Sequence, residues 1–217
     1  MVTLQLRQLD VPLGQRLLIH DLDWSEFEAI LTELGEKRSF RIAYSDGTLE
    51  IRMPLPKHER QKSILGDIVK ILLEELEIDC ECFGSTTFKL KEMNFGIEPD
   101  ECFYIQNHAT MIGKDRLDLL VDPPPDLAIE VDVTSTTQIT AYTRLGVPEL
   151  WVYDGTGLKI YLLQSGEYQE STVSPTFPHL PILEWVSEVL AQSQAIGRSP
   201  ALRSLRQRIR TLQGSKP

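Results

Sequence analysis

The sequence predicts an α/β fold: a mixed central sheet of about five strands with one long helix packed on it, plus an N-terminal helix and hairpin. Three observations predict it. Residues 127–133 alternate in a two-residue period, the mark of a strand. Residues 57–76 place Ile64, Leu65, Ile68, Leu72 and Leu76 along one helical face. Strand-like and helix-like stretches then alternate along the chain, helix, hairpin, long helix, three strands, helix and second hairpin.

Taken in order, residues 1–20 read as an arm with a short strand near 16–20. Ser25 caps a helix, Glu28 completing the capping box. Phe27, Ile30, Leu31 and Leu34 form its apolar stripe, and Gly35 ends it. Residues 39–44 and 48–53 flank Ser45-Asp46-Gly47, a hairpin turn. The long helix follows Pro54-Leu55-Pro56. Strands at 82–90 and 97–105 come next, then a connector over 107–125 with no assignable element. After the 127–133 strand, a short helix spans 138–145, and 150–154 pairs with 158–163 across Gly155-Thr156-Gly157. Helices are expected at 183–191 and at 201–212, the latter with Ser199 as its cap and Pro200 at the first position.

The totals bound the class. A chain of 217 residues with 41% hydrophobic and 25% charged content is large enough for a sizeable core. The formal net charge of −10 argues against coating nucleic acid by charge alone. It leaves room for a DNA enzyme whose basic surface is local. From Arg198 onward five arginines and Lys216 stand without an acid, a solvated helix face or a phosphate- or partner-binding tail. Cys80, Cys82 and Cys102 are odd in number and lack paired zinc-site clusters, so packing in a reducing cytoplasm is expected. There is no signal-peptide-length apolar run and no membrane span.

The chemistry centres on residues 123–137. Leu127, Ile129, Val131 and Val133 face one way; Ala128, Glu130 and Asp132 face the other. Glu130 and Asp132 stand about 6–7 Å apart along the strand. The plain reading is a strand with a wet face. The sharper one needs a partner acid. Asp126 is about 13 Å from Glu130 along one extended strand, too far to share an ion. Asp100, after Pro99 at the start of the preceding strand, converges with Glu130 if the two strands are neighbours. An Asp, a Glu and the Val131 carbonyl form the all-oxygen set that Mg2+ or Mn2+ prefers. Such an ion activates water and offsets charge on a phosphodiester. Glu130 and Asp132 as a metal-free acid-base pair is a weaker alternative.

These residues resemble the PD-(D/E)XK nuclease superfamily, and more closely the Uma-two family of restriction endonucleases. The match runs through residues 54–58, Phe83-Gly84-Ser85, Pro99-Asp100, residues 125–131, Thr134-Ser135, Tyr142 and residues 146–154. It covers about residues 25–165. The resemblance implies a restriction-endonuclease-like domain over 1–195, leaving 196–217 as a basic C-terminal helix or tail. It also implies Mg2+ (or Mn2+) bound by Asp100, Glu130 and the Val131 carbonyl, DNA as substrate, and a homodimer to cut two strands. The superfamily's lysine two residues after the glutamate is Asp132 here, and the alternative position in the following helix is Gln138. Lys89 (or Lys91) on an earlier strand is the candidate replacement, Asp132 a possible third acid. His58, where some superfamily members place an extra acid, is the remaining candidate. A catalytically inactive nuclease fold with a DNA- or protein-binding role is the alternative.

Overall fold

The computed structural model describes residues 8–35, 40–131 and 136–214. Among these the chain forms two sheets and six helices rather than one sheet with an attached hairpin. The first sheet runs β1 (Arg16–Ile19), β3 (Thr48–Arg52), β2 (Arg41–Ser45), β6 (Phe95–Ile97), β5 (Phe88–Leu90), antiparallel throughout. The second runs β11 (Glu167–Ser171), β10 (Leu158–Gln164), β9 (Glu149–Tyr153), β8 (Leu127–Val131), β7 (Glu101–Tyr104), β4 (Glu81–Cys82). Among the described strands only β8 and β9 are parallel. A parallel pair needs a crossover, and α4 (Thr136–Leu145) supplies it. The mixed α/β class therefore holds. The hairpin expected at an edge of the central sheet instead builds the first sheet.

Two expected strands are each divided between the sheets. The 82–90 stretch breaks at Gly84, whose φ of +57° turns the chain, so β4 and β5 belong to different sheets. The 97–105 stretch breaks at Glu98-Pro99-Asp100, and β6 and β7 separate in the same way. Asp100 thus sits at the junction where the chain leaves one sheet for the other.

Local chemistry explains most element ends. Helix α1 (Trp24–Leu34) is capped by Asp23, whose side chain accepts from the Glu26 amide while Glu26 reaches back. The capping box lies two residues earlier than the expected Ser25–Glu28 pair. Asp46 and Gly47 both take positive φ, +50° and +75°, as a two-residue hairpin of matching twist requires. Helix α2 (Pro56–Glu75) opens with proline in its first turn. The connector holds α3 (His108–Met111) and is tied down by Asp126, which accepts from the Ile105 and Gln106 amides at 2.6 and 2.9 Å. Asp126 therefore has a structural task.

Strand β8 is buried on both faces. Leu127, Ile129 and Val131 meet Trp151, α2, α5 (Ile182–Ile196) and α6 (Arg198–Gly214). Ala128 packs on the other side with Tyr142, Leu150 and residues of the first sheet. The face that a plain reading leaves wet is covered by α4 and the first sheet. Helix α6 inserts Ala201, Leu202, Leu205 and Ile209 into the core. Arg198, Arg206, Arg208 and Arg210 pair with Asp67, Glu74, Glu75, Glu184 and Glu188 of α2 and α5. Most of the basic run thus meets acids of this same chain. No helix among the described residues is long and apolar enough to cross a membrane.

One close approach yields a stability test. Phe27 stacks on Tyr44 and lies over Gly96 of β6, where an added Cβ would come within 2.6 Å of the ring. Gly96→Ala is expected to cost about 1–3 kcal/mol through overpacking. Urea titration should show a lower midpoint with an unchanged slope.

Candidate active site

The site forms where β7, β8, the β2–β3 hairpin, α2 and α4 meet. Strands β7 and β8 pair antiparallel with Glu101 opposite Ile129. The same register carried one residue on sets Asp100 opposite Glu130. Opposed residues of an antiparallel pair share a face, with Cβ atoms about 5 Å apart. Both carboxylates have no exposed surface. A buried carboxylate must find partners or stay protonated. Here the two do different things.

Asp100 Oδ2 accepts from the Val131 amide at 2.8 Å and lies 3.0 Å from His58 Nε2. Burial opposes its charge, but the His58 hydrogen bond and the His58 and Arg52 charges outweigh it, so its pKa is lowered. Burial also opposes charge on His58, yet Asp100 raises the imidazole above its ordinary 6.5. Glu130 goes the other way. Burial first, then the neighbouring Asp100 charge, push it up to about 8, against the pull of Arg52 and Tyr142. Tyr142 of α4 donates to Glu130 Oε1 at 2.5 Å. Two carboxylates side by side are thus driven apart in proton affinity.

The hairpin brings cations. Across the first sheet Arg16 is opposite Arg52, and Arg52 is opposite Arg41, so three arginines stand in one row over three strands. Arg52 Nη1 donates to the Val131 carbonyl at 3.0 Å and Nη2 to Glu130 Oε2 at 3.3 Å. Arg41 Nε lies 3.9 Å from Asp100 Oδ1, and His58 Nε2 lies 3.2 Å from the Val131 oxygen. Beside Arg52 and His58 an open cleft of about 370 Å3 is walled by Gly14, Arg16, Pro54 and Leu55, among others.

The chain also compares with known proteins. A family profile described as "Uma2: Putative restriction endonuclease" matches residues 24–195. The chain belongs to the Uma2 family. Its fold is similar to that of a solved structure from Anabaena variabilis ATCC 29413, described as a "putative nuclease belonging to DUF820". That likeness has a TM-score of 0.53 at 19% identity, covering 76% of this chain and 99% of the other. Among curated proteins none matches. The Uma2 match ends before α6 begins.

Within this Uma2 chain, Asp100, Glu130, the Val131 carbonyl and His58 come together as one cluster. Asp132 lies outside the described residues. Lys89 is on β5 and ion-pairs with Glu28 of α1 at the surface. Gln138 is buried in α4. Arg52 and Arg41 were not among the candidates from sequence; the three-residue Ser45-Asp46-Gly47 turn expected there is a two-residue one with Ser45 paired to Thr48, and that register sets Arg41 opposite Arg52. The role of Tyr142 was also legible only as part of the family pattern.

Do these residues suit a divalent ion? Among the described residues no group of three or more His, Cys, Asp or Glu side chains could hold one together. The oxygen set of Asp100, Glu130 and the Val131 carbonyl has the right chemistry for Mg2+ or Mn2+, completed by water. Asp100 Oδ1 is buried and accepts no hydrogen bond, an open acceptor aimed into the cluster. Glu130 Oε2 and the Val131 oxygen, by contrast, are bridged by the Arg52 guanidinium. A cation position exists, and an arginine stands in it.

The pKa directions give a test of stability. Glu130 ionises near its ordinary 4.5 when unfolded and near 8 when folded, so its contribution to stability is present below 4.5 and lost as pH rises towards 8. His58, also raised, contributes fully below its unfolded 6.5 and loses this as pH rises through its folded value. Asp100, lowered, contributes above 3.8 and loses this as pH falls. Without added metal, Tm is expected to fall by on the order of 5 °C between pH 5 and 8.5. In Glu130→Gln most of that slope should vanish; an unaltered slope would refute the assignment.

Proposed function

We propose that this chain is a metal-dependent DNA endonuclease that hydrolyses phosphodiester bonds with an activated water. The observation that carries the reading is the opposed, fully buried Asp100–Glu130 pair beside the Val131 carbonyl, with Asp100 Oδ1 left without a hydrogen bond. The Uma2 membership supports it. A bound Mg2+ or Mn2+ would supply a Lewis acid and a water of lowered pKa. Asp100, Glu130 and the Val131 oxygen are the residues that would hold it.

The remaining steps belong to the protein. The Val131 amide and His58 orient Asp100, and Tyr142 orients Glu130. These three contacts preset the donor geometry before any ligand arrives, which is what preorganised catalysis requires. The arginine row takes the phosphodiester at the cleft, Arg16 at the mouth and Arg52 deeper. Arg52 then does the electrostatic part of the missing lysine's work, steadying charge on the phosphate. A guanidinium does not deprotonate, so Arg52 is no general base. His58 can hold a proton near neutral pH and is the group of this chain suited to pass one on. Two copies of the chain would cut the two strands.

A second reading has its own support. Arg52 and His58 already supply positive charge to the acids, so a nuclease fold that has lost catalysis and binds DNA or protein is the alternative. Purified protein, plasmid DNA and either Mg2+ or Mn2+ decide between them. Nicking that EDTA stops is the expected result; intact plasmid with both metals and varied DNA would favour the binding protein.

A further inference from the structure

The cluster contains a cation that the proposed chemistry has to move. Arg52 holds Glu130 Oε2 and the Val131 oxygen, two of the three groups assigned to the metal. A divalent ion cannot share that position with a guanidinium: the same lone pairs are wanted by both, and the two cations repel in a site with little water. Leaving the acids with neither is no better, because the Glu130 carboxylate, buried with Asp100 opposite it, would then have to take up a proton and could not serve a metal. The site therefore has two self-consistent states, one closed by Arg52 and one closed by a metal.

Arg52 also has somewhere to go. It lines the open cleft with Arg16 and His58, and Arg16 occupies the adjoining position in the same row, its side chain 40% exposed. Behind Arg52 on the same strand face is Glu50, 1% exposed, with neither carboxylate oxygen hydrogen-bonded and Arg16 at 4.0 Å. An anion entering the cleft would meet two arginines side by side, a geometry suited to a phosphate's paired oxygens.

We infer that Arg52 is an internal counter-ion exchanged between the acid pair and a phosphodiester, so that phosphate and divalent metal each promote binding of the other. This rests on the metal-site reading above and adds regulation of that site. Without nucleic acid, Arg52 keeps the acids neutralised and metal binds weakly. With a phosphodiester in the cleft, the guanidinium moves to the phosphate and frees Glu130 and the Val131 oxygen. Linkage makes the effect reciprocal: metal tightens phosphate binding by the same factor.

Calorimetry with Mn2+ tests it, using the wild-type chain, Arg52→Gln and Arg52→Lys, each alone and with a short phosphorothioate duplex that resists cleavage. The duplex is expected to tighten Mn2+ binding to the wild type by about tenfold or more. Arg52→Gln should bind Mn2+ about tenfold tighter than wild type without DNA, with the duplex effect lost; Arg52→Lys, too short to span both oxygens, should fall between. Arg52→Gln should also melt lower than wild type in EDTA and regain its Tm with Mn2+. If the glutamine chain does not fold, the lysine variant carries the comparison. Equal Mn2+ affinity in wild type and variant, with Glu130→Ala losing it, overturns the exchange and leaves the metal site standing. No Mn2+ binding by any of the chains removes both.

Discussion

Glu130→Ala is expected to reduce metal-dependent DNA nicking by about a thousandfold or more, with the fold retained at mildly acidic pH. Three losses coincide at this position. The carboxylate is one of two proposed metal acids, and removing it leaves Asp100 alone with the Val131 carbonyl. Tyr142 loses the acceptor at 2.5 Å, and Arg52 loses its Glu130 partner. Preorganised charge in a dry site is worth far more than the same charge in water, which is why one group weighs this much. Glu130→Gln keeps the volume and should be as inactive, separating loss of charge from loss of packing. Glu98→Gln is the control: Glu98 is also buried, but accepts from Thr87 at 2.6 Å, and its replacement should leave nicking near the wild-type rate. Equal rates for Glu130→Ala and wild type, measured on supercoiled plasmid over single turnovers, would remove Glu130 from the chemistry.

The largest expected effect on stability follows from ending the chain at Gly197. Helix α6 places Leu202, Leu205 and Ile209, with Ala201, among the core residues of α2 and α5. Each large side chain contributes about 1.5–3 kcal/mol by burial, on the order of 5 kcal/mol or more together. That is comparable to the whole stability of many domains. The ion pairs of Arg206 and Arg210 with Glu75 add little by themselves but would leave Glu75 without either arginine. Thermal melts should place the truncated chain more than 10 °C below the full one, or show no cooperative transition. A truncated chain with the full chain's Tm would make α6 a mere appendage. The outcome bears on function too, since arginines engaged in docking α6 are poorly placed to serve as a DNA-binding tail.

Local patterns carried much of the fold. The Asp46-Gly47 hairpin, the long helix and the alternating strand before Asp132 were legible because each depends on neighbours within a few residues: a turn needing positive φ, a helical stripe, a two-residue period. Errors came where a local pattern had two continuations. The 82–90 and 97–105 stretches read as unbroken strands, since nothing nearby reveals that their halves pair with different partners. The hairpin read as an edge addition for the same reason. Strand β11, with no residue fully buried and little apolar content, left no periodic signal to detect.

For the site, the amino-acid order by itself determined the Asp100–Glu130 candidates and, through the family resemblance, the absent lysine at Asp132 and Gln138; Arg41 came opposite Arg52 only with the observed strand register. Only the tertiary structure decided that Glu130 is buried, that His58 reaches Asp100, and that Arg52 bridges Glu130 and the Val131 carbonyl, 78 and 79 positions further along the chain. The physical reason is range. Turns, caps and periodicity are set by short stretches of chain, whereas the proton affinity of a carboxylate is set by whatever distant segments exclude water from it and put charge beside it.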